Sequence, residues 1–191
     1  MFPNMGRRIL PWDLGGERAL QEKKQNGMQP RITVLAPKGL IGQRMKMSLA
    51  NPRVGELWRS FRIGQGAIAN ALNRDWISLA VYPPGYFLDF DPSREFERWA
   101  AVEVNPMAGV PPGMEPFDLP GGLYAVFQHK GPHTDTSIFQ FIFGTWIPQS
   151  PYALGDRPHF EVLGEEYSPM DPDSQEEIWI PITERPVPQN Q

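Results

Sequence analysis

The chain runs through the same succession of patterns twice, and this repeat limits its folds more than any other feature. The first run opens with Ile32, Val34 and Leu35, residues that favour extended backbone. After a break at Pro37 and Gly39, residues 40–49 again read as extended. Asn51 is a good helix cap and Pro52 suits a first helical position. Val54, Leu57, Trp58 and Phe61 then fall at i, i+3, i+4 and i+7, the spacing of an amphipathic helix. Two strand-like runs follow, Trp76–Pro83 and Phe96–Val104, with a turn-rich stretch between them. A Pro/Gly-rich connector, Asn105–Pro116, reads as a surface linker.

The second run repeats the order. Leu123–His129 reads as a strand, and Gly131-Pro132 breaks it. Thr134–Ile147 reads as a helix, capped by Thr134 or Asp135, with Ile138, Phe141, Ile142 and Trp146 on one side. A loop, Pro148–Pro158, leads to two last strands in Pro158–Tyr167 and Glu176–Ile182. The expected fold is α+β: duplicated β-α-β-β units, with antiparallel sheets and two helices flanking a central ligand groove. The expected boundaries are an N-terminal extension at 1–27, one domain at 28–183 with halves 30–105 and 116–183, and a polar tail at 184–191.

Composition narrows the function. The absence of cysteine removes disulfides, thiolate metal sites and cysteine nucleophiles, and it fits a reducing cytoplasm. A net charge of −4 disfavours non-specific contact with nucleic acid. No apolar run is long enough to span a bilayer, so no membrane partner is expected. His129 and His133 stand four apart, but Gly131-Pro132 between them prevents a helix from placing both on one face. No metal and no cofactor are expected. The GxGxxA stretch Gly64–Ala69 lacks a surrounding βαβ unit and reads as a loop.

Several stretches carry a family resemblance. Gly121-Gly122-Leu123-Tyr124-Ala125-Val126 and His129-Lys130-Gly131-Pro132 resemble a strand and turn of the GyrI-like family, the AraC-type effector-binding domains. The Trp146-Ile147-Pro148 helix end, Tyr152-Ala153-Leu154 and Arg157–Val162 follow in family order. The closing Glu177-Ile178-Trp179-Ile180-Pro181-Ile182 resembles a family strand that usually has tyrosine where Trp179 stands. Glu56–Phe61 resembles the family's first helix. The resemblance covers about residues 30–182. It implies a stand-alone small-molecule-binding domain built of SHS2 repeats, a multidrug type of pocket and lipophilic or cationic ligands. By family analogy it also implies gyrase as a partner, or hydrolysis of cyclopropane-containing toxins. A homodimer is left open. Residues 1–27 are too few for a helix-turn-helix, so direct nucleic-acid binding is not expected.

Glu177 is the leading site candidate. Strand alternation puts it on one face with Trp179, among apolar neighbours, where an unpaired carboxylate is costly. A bound organic cation would supply the missing charge, and aromatic walls would add cation–π attraction. If the register moves by one residue, Glu176 takes that place. The expected walls are Trp179, Tyr124, Trp146, Phe141, Tyr152, Trp58 and Tyr82. If the protein is a hydrolase, Glu177 becomes its general base. The bland alternative is that Glu177 pairs with an arginine or faces solvent.

Overall fold

A computed structural model describes residues 28–186 apart from 90 and 106–108. The expected extension at 1–27 and the end of the expected tail lie outside the described residues. The elements are β1 (Arg31–Leu35), β2 (Lys38–Met47), α1 (Val54–Gly64), β3 (Trp76–Val81), β4 (Phe96–Val104), β5 (Glu115–Leu119) and β6 (Gly122–Lys130). A second helical segment comprises α2 (Ser137–Phe141), a π-helical turn (Ile142–Trp146) and a last turn, α3 (Ile147–Gln149). Then come β7 (Tyr152–Leu154), β8 (His159–Leu163) and β9 (Gln175–Glu184).

The strands form one mixed-order antiparallel sheet rather than the separate sheets expected from the sequence. Its order is β1-β6-β9-β8-β3-β4-β2-β5, with β7 added beside β9. The two runs meet in the middle, where β3 pairs antiparallel with β8 from Trp76↔Leu163 to Ala80↔His159. β7 lies in the stretch that reads as a loop, and β5 begins at the end of the expected linker, at Glu115 and Pro116. Both are short edge strands in Pro-bearing segments, where the alternation signal is weakest.

The outer strands tie the two halves together. β1 runs into β2 through only Ala36 and Pro37, and β5 runs into β6 through only Pro120 and Gly121. Arg31 pairs with Val126, and eleven residues further on, with no slip of register, Gly42 pairs with Glu115. The two long strands therefore make one ribbon that joins the ends of the sheet and curls it. Gly121 and Gly122 serve this crossing. A side chain on Gly121 would lie 2.6 Å from the Leu35 carbonyl oxygen, and Gly122 adopts φ +144° against the Arg157 guanidinium.

Both helices lie on one face. Leu57 and Phe61 of α1 pack with Ile41, Ala80, Ala100 and Val102. The helix begins at Val54, two residues later than Asn51 and Pro52 suggest. The Arg53 carbonyl accepts the Glu56 and Leu57 N–H groups, and the Asn51 N–H donates to Ser48 Oγ. Ile138, Ile142 and Ile147 pack on Ala125, Phe127, Ile178, Ile180 and Ile182. Their spacing is four and then five, so the π-helical turn keeps Ile147 on the buried side. Asp135 Oδ1 accepts the Ser137 N–H at the start of α2. The other face curls around a second core of Leu35, Leu40, Ile77, Leu79, Trp99, Leu119, Tyr124, Val126 and Phe160. At the end of β9, Arg185 folds back and donates to the Tyr152 and Ile147 carbonyls, so ordered packing continues past Glu184.

Candidate functional site

Strand alternation assigns each side chain of the central strands to a face. Trp76, Ser78 and Ala80 of β3, His159 and Glu161 of β8, Arg98 of β4 and Glu176 of β9 point to the helix side. Tyr82 follows β3 on the same side. They floor a groove over β3 and β8, between α1 and the second helical segment.

Ionisable groups concentrate on this floor. Arg98 Nη2 lies 2.5 Å from Glu161 Oε2 and 2.5 Å from Ser78 Oγ. Both charged side chains are largely buried, at 15% and 17% exposure. Glu176 Oε1 lies 2.9 Å from His129 Nδ1, and both residues are buried. Burial, reinforced by the Glu161 charge, raises the Glu176 carboxyl above the ordinary range. Burial, helped by the Arg98 charge, pushes the His159 imidazole down to about 3, so it is neutral near pH 7. Burial pushes the Tyr82 hydroxyl up to about 12.

Aromatic rings from both halves cover the groove end beside this floor. Phe87, from the segment after β3, stacks on His159 at 5.3 Å and on Phe143 of the π-helical turn at 5.8 Å. Tyr82 packs edge-on to His159 and to Phe87. At the other end, Trp58 of α1 packs against Trp76, whose ring also carries the Arg62 guanidinium. A cavity of about 500 Å³ opens beside Tyr82 and His159. Its walls are Pro83–Leu88, Ile147, Ala153–Arg157 and Arg185.

The residues expected from the sequence fall into three separate groups. Glu177, Trp179 and Tyr124 come together, but on the face opposite the helices. Glu177 accepts hydrogen bonds from Arg31 (3.3 Å), Gln128 (2.8 Å) and Trp179 Nε1 (3.0 Å), so its charge is met by an arginine. Trp179 stacks on Phe160 at 5.2 Å. Tyr124 is fully buried and donates to the Pro158 carbonyl. Trp146, Phe141 and Tyr152 pack where the second helical segment meets the sheet, with Trp146 stacked on Tyr152. Trp58 and Tyr82 are the expected walls that border the groove. Glu176, the alternative to Glu177, is the carboxylate on the helix side.

Sequence reasoning passed over Arg98, Glu161, His159, Phe87, Phe143 and Trp76. Alternation in Pro158–Tyr167 would have put His159 and Glu161 on one face, but only the β3–β8 pairing brings Arg98 to them. The Arg157 of the family-like stretch has a structural task. Its Nη2 donates to the Leu123 and Ile182 carbonyls, and its guanidinium lies over Tyr124. Among the described residues, no group of three or more His, Asp or Glu side chains could hold a metal ion, and no helix is long and apolar enough to cross a membrane.

Residues 28–183 match the family model described as the GyrI-like small molecule binding domain. The chain belongs to this GyrI-like family. Among curated proteins, the GyrI-like chain is 29% identical over 157 residues to the transcriptional regulator BrlR of Pseudomonas aeruginosa. That match covers 81% of this chain and 56% of BrlR, so the chain spans a little over half the length of this relative. Among solved structures, the GyrI-like fold is similar to EcmrR in a complex with DNA (TM-score 0.61, 14% identity, 90% of this chain and 64% of that one). It is also similar to SAV2435 bound to tetraphenylphosphonium (TM-score 0.55, 18% identity, 82% and 94%).

These relatives overturn the expectation of no nucleic-acid partner. BrlR is a transcriptional regulator and the EcmrR structure contains DNA, so DNA stays among the candidate partners of this GyrI-like chain. The physical fault lay in reading a net charge averaged over the chain as if it described a contact surface. Electrostatic contact with DNA is decided locally, within about 10 Å at ordinary salt.

Proposed function

We propose that this GyrI-like domain holds a lipophilic aromatic small molecule in the groove over β3 and β8. In this reading the two runs act as a duplicated unit, each contributing one wall. Tyr82, Phe87 and Trp58 come from the first, and His159 and Phe143 from the second. The observation that carries the proposal is the buried cluster Arg98, Glu161, Glu176 and His129, set beside stacked rings from both halves and next to a cavity. Apolar walls with a few convergent polar groups are the usual make-up of a small-molecule site. The tetraphenylphosphonium complex of SAV2435 supports an aromatic ligand for this fold.

Titration of tryptophan fluorescence with aromatic compounds of different charge tests this, with wild type beside Phe87→Ala and Trp58→Leu. Saturable binding weakened in both variants is expected. Binding unchanged in these variants but lost in Glu177→Gln or Trp179→Leu would move the site to the opposite face.

A second reading has its own observation. Glu176 is buried, hydrogen-bonded with His129, and held above the ordinary carboxylate range by burial and the Glu161 charge, as suits a general acid or base. As a hydrolase of a cyclopropane-bearing substrate, the protein would use Glu176 to take a proton from the attacking water. Turnover abolished by Glu176→Gln with binding retained would establish it. Quantitative recovery of intact ligand would reject it for that ligand.

A further inference from the structure

We propose that the groove exchanges a proton for an organic cation, and that the row Glu176, His129 and Asp135 holds this proton and takes it back when the cation leaves. The inference rests on the groove reading above and specifies how that site is regulated.

The floor carries two buried carboxylates against one arginine. Arg98 lies 2.5 Å from Glu161 and offsets its charge. Glu176 is left with an imidazole, since its Oε1 lies 2.9 Å from His129 Nδ1 across the β6–β9 pairing. An imidazole and a carboxyl in contact share a proton as one unit. With that proton the pair is uncharged, as imidazolium with carboxylate or as imidazole with carboxylic acid. Without it the pair is negative. A fixed positive charge in the groove favours the second state, and in a low-dielectric setting it need not touch Glu176 to do so. Other groups near Glu176 do not take the proton. Glu161 of β8 is held by Arg98 of β4. Tyr167, between β8 and β9, keeps its own, because burial and the Glu176 and Glu161 charges push its hydroxyl up.

The far side of the His129 ring gives the proton a way out. His129 is only 7% exposed, and its Nε2 is buried with no hydrogen-bond partner among the described residues. Nε2 lies 3.9 Å from Asp135 Oδ2, on a side chain that is 43% exposed. Asp135 Oδ1 accepts the Ser137 N–H, which leaves Oδ2 for the ring. A shift of about 1 Å makes this approach a hydrogen bond. Gly131 keeps the gap clear, since a Cβ there would stand 3.5 Å from Nε2 and 3.7 Å from Oδ2. The neighbouring Lys130 and His133 are engaged with Asp173 and with the Pro169 carbonyl. As the cation enters, Nε2–H gives its proton to Asp135, which passes it to water, and any proton on Glu176 moves to Nδ1. The neutral ring is left donating Nδ1–H to the ionised Glu176. Departure of the cation runs the same transfers backwards.

Tetraphenylphosphonium tests this, because its charge is permanent and it has no proton of its own to lose. Calorimetry in buffers of different ionisation enthalpy counts the protons released, and repetition across pH gives the Kd profile. Only saturable one-site binding that Phe87→Ala weakens is counted. Wild type is expected to release up to about one proton per ligand and to bind more tightly as pH rises, by at most about tenfold per unit. Uncharged triphenylphosphine oxide should release none. Glu176→Gln should release none with either compound and show a flat profile. Asp135→Asn keeps an acceptor for the Ser137 N–H but withdraws charge from beside the ring. It should move the rise in affinity to lower pH, and at its exposed position it keeps the test open if Glu176→Gln does not fold. Groove binding of the cation without proton release, or release that persists in folded Glu176→Gln, overturns the proposal and leaves the groove as the binding site. An unchanged profile in Asp135→Asn removes Asp135 from the row. Binding of triphenylphosphine oxide but not of the cation also overturns the proposal alone. If neither compound binds, or if binding ignores Phe87→Ala, the groove reading itself fails and takes this proposal with it.

Discussion

Glu176 and Glu177 are neighbours in β9 and serve opposite faces of the sheet. Glu176 meets His129 at 2.9 Å on the helix side, while Glu177 meets Arg31, Gln128 and Trp179 on the other. This relationship separates ligand binding from stability. Glu177→Gln should leave groove binding unchanged and cost about 1 kcal/mol or less, because its ion pair with Arg31 is substantially exposed. Glu176→Gln should alter groove binding or turnover. Parallel ligand titration and urea denaturation of the two variants checks both expectations.

Arg98 and Glu161 should behave as a unit. Removing either partner strands a charge in a largely buried site, so Arg98→Gln and Glu161→Gln should each cost about 3 kcal/mol. The double variant should cost clearly less than the two losses added together. A double-mutant cycle from denaturation midpoints reads this directly. Additive losses would show that the pair is uncoupled.

Arg157 should matter for stability beyond its charge. Its Nη2 bonds two backbone carbonyls, on β6 and β9, while its planar group covers Tyr124. Arg157→Ala should cost about 2–4 kcal/mol through lost hydrogen bonds and packing. Arg157→Lys should recover only part of this, since an ammonium lacks the planar group that covers Tyr124. Thermal and urea unfolding of both variants test the order.

His159 gives the fold a pH dependence with a definite sign. Its folded value is near 3, below the ordinary 6.5, so the unfolded chain takes up the proton first. The contribution of a neutral buried imidazole is complete above about pH 6.5 and is lost as the pH falls toward 3. The slope is at most about 1.4 kcal/mol per pH unit for this one group. Stability of wild type relative to His159→Phe, measured between pH 7 and 4.5, should fall with pH. The comparison isolates the imidazole from Glu176, whose raised carboxyl works in the opposite direction. A flat difference would show that His159 is accessible to water.

Local patterns along the chain set the order of the principal elements. The i, i+3, i+4, i+7 spacing of Val54, Leu57, Trp58 and Phe61 specifies α1, and the apolar runs Phe96–Val104 and Leu123–His129 specify β4 and most of β6. The ordered motifs around Gly121, Arg157 and Trp179 carried the family for the same reason. Alternation correctly put Glu177 and Trp179 on one face, but a period of two leaves open which face the helices cover. That choice came from the β3–β8 pairing at the centre of the sheet and from the ribbon of β1–β2 with β5–β6 that curls it. Arg98 and Glu161 stand 63 positions apart and Glu176 and His129 stand 47 apart, so no local pattern links them. Only long-range strand register brings these four groups to one floor. The charge balance of the groove is thus a property of the tertiary structure.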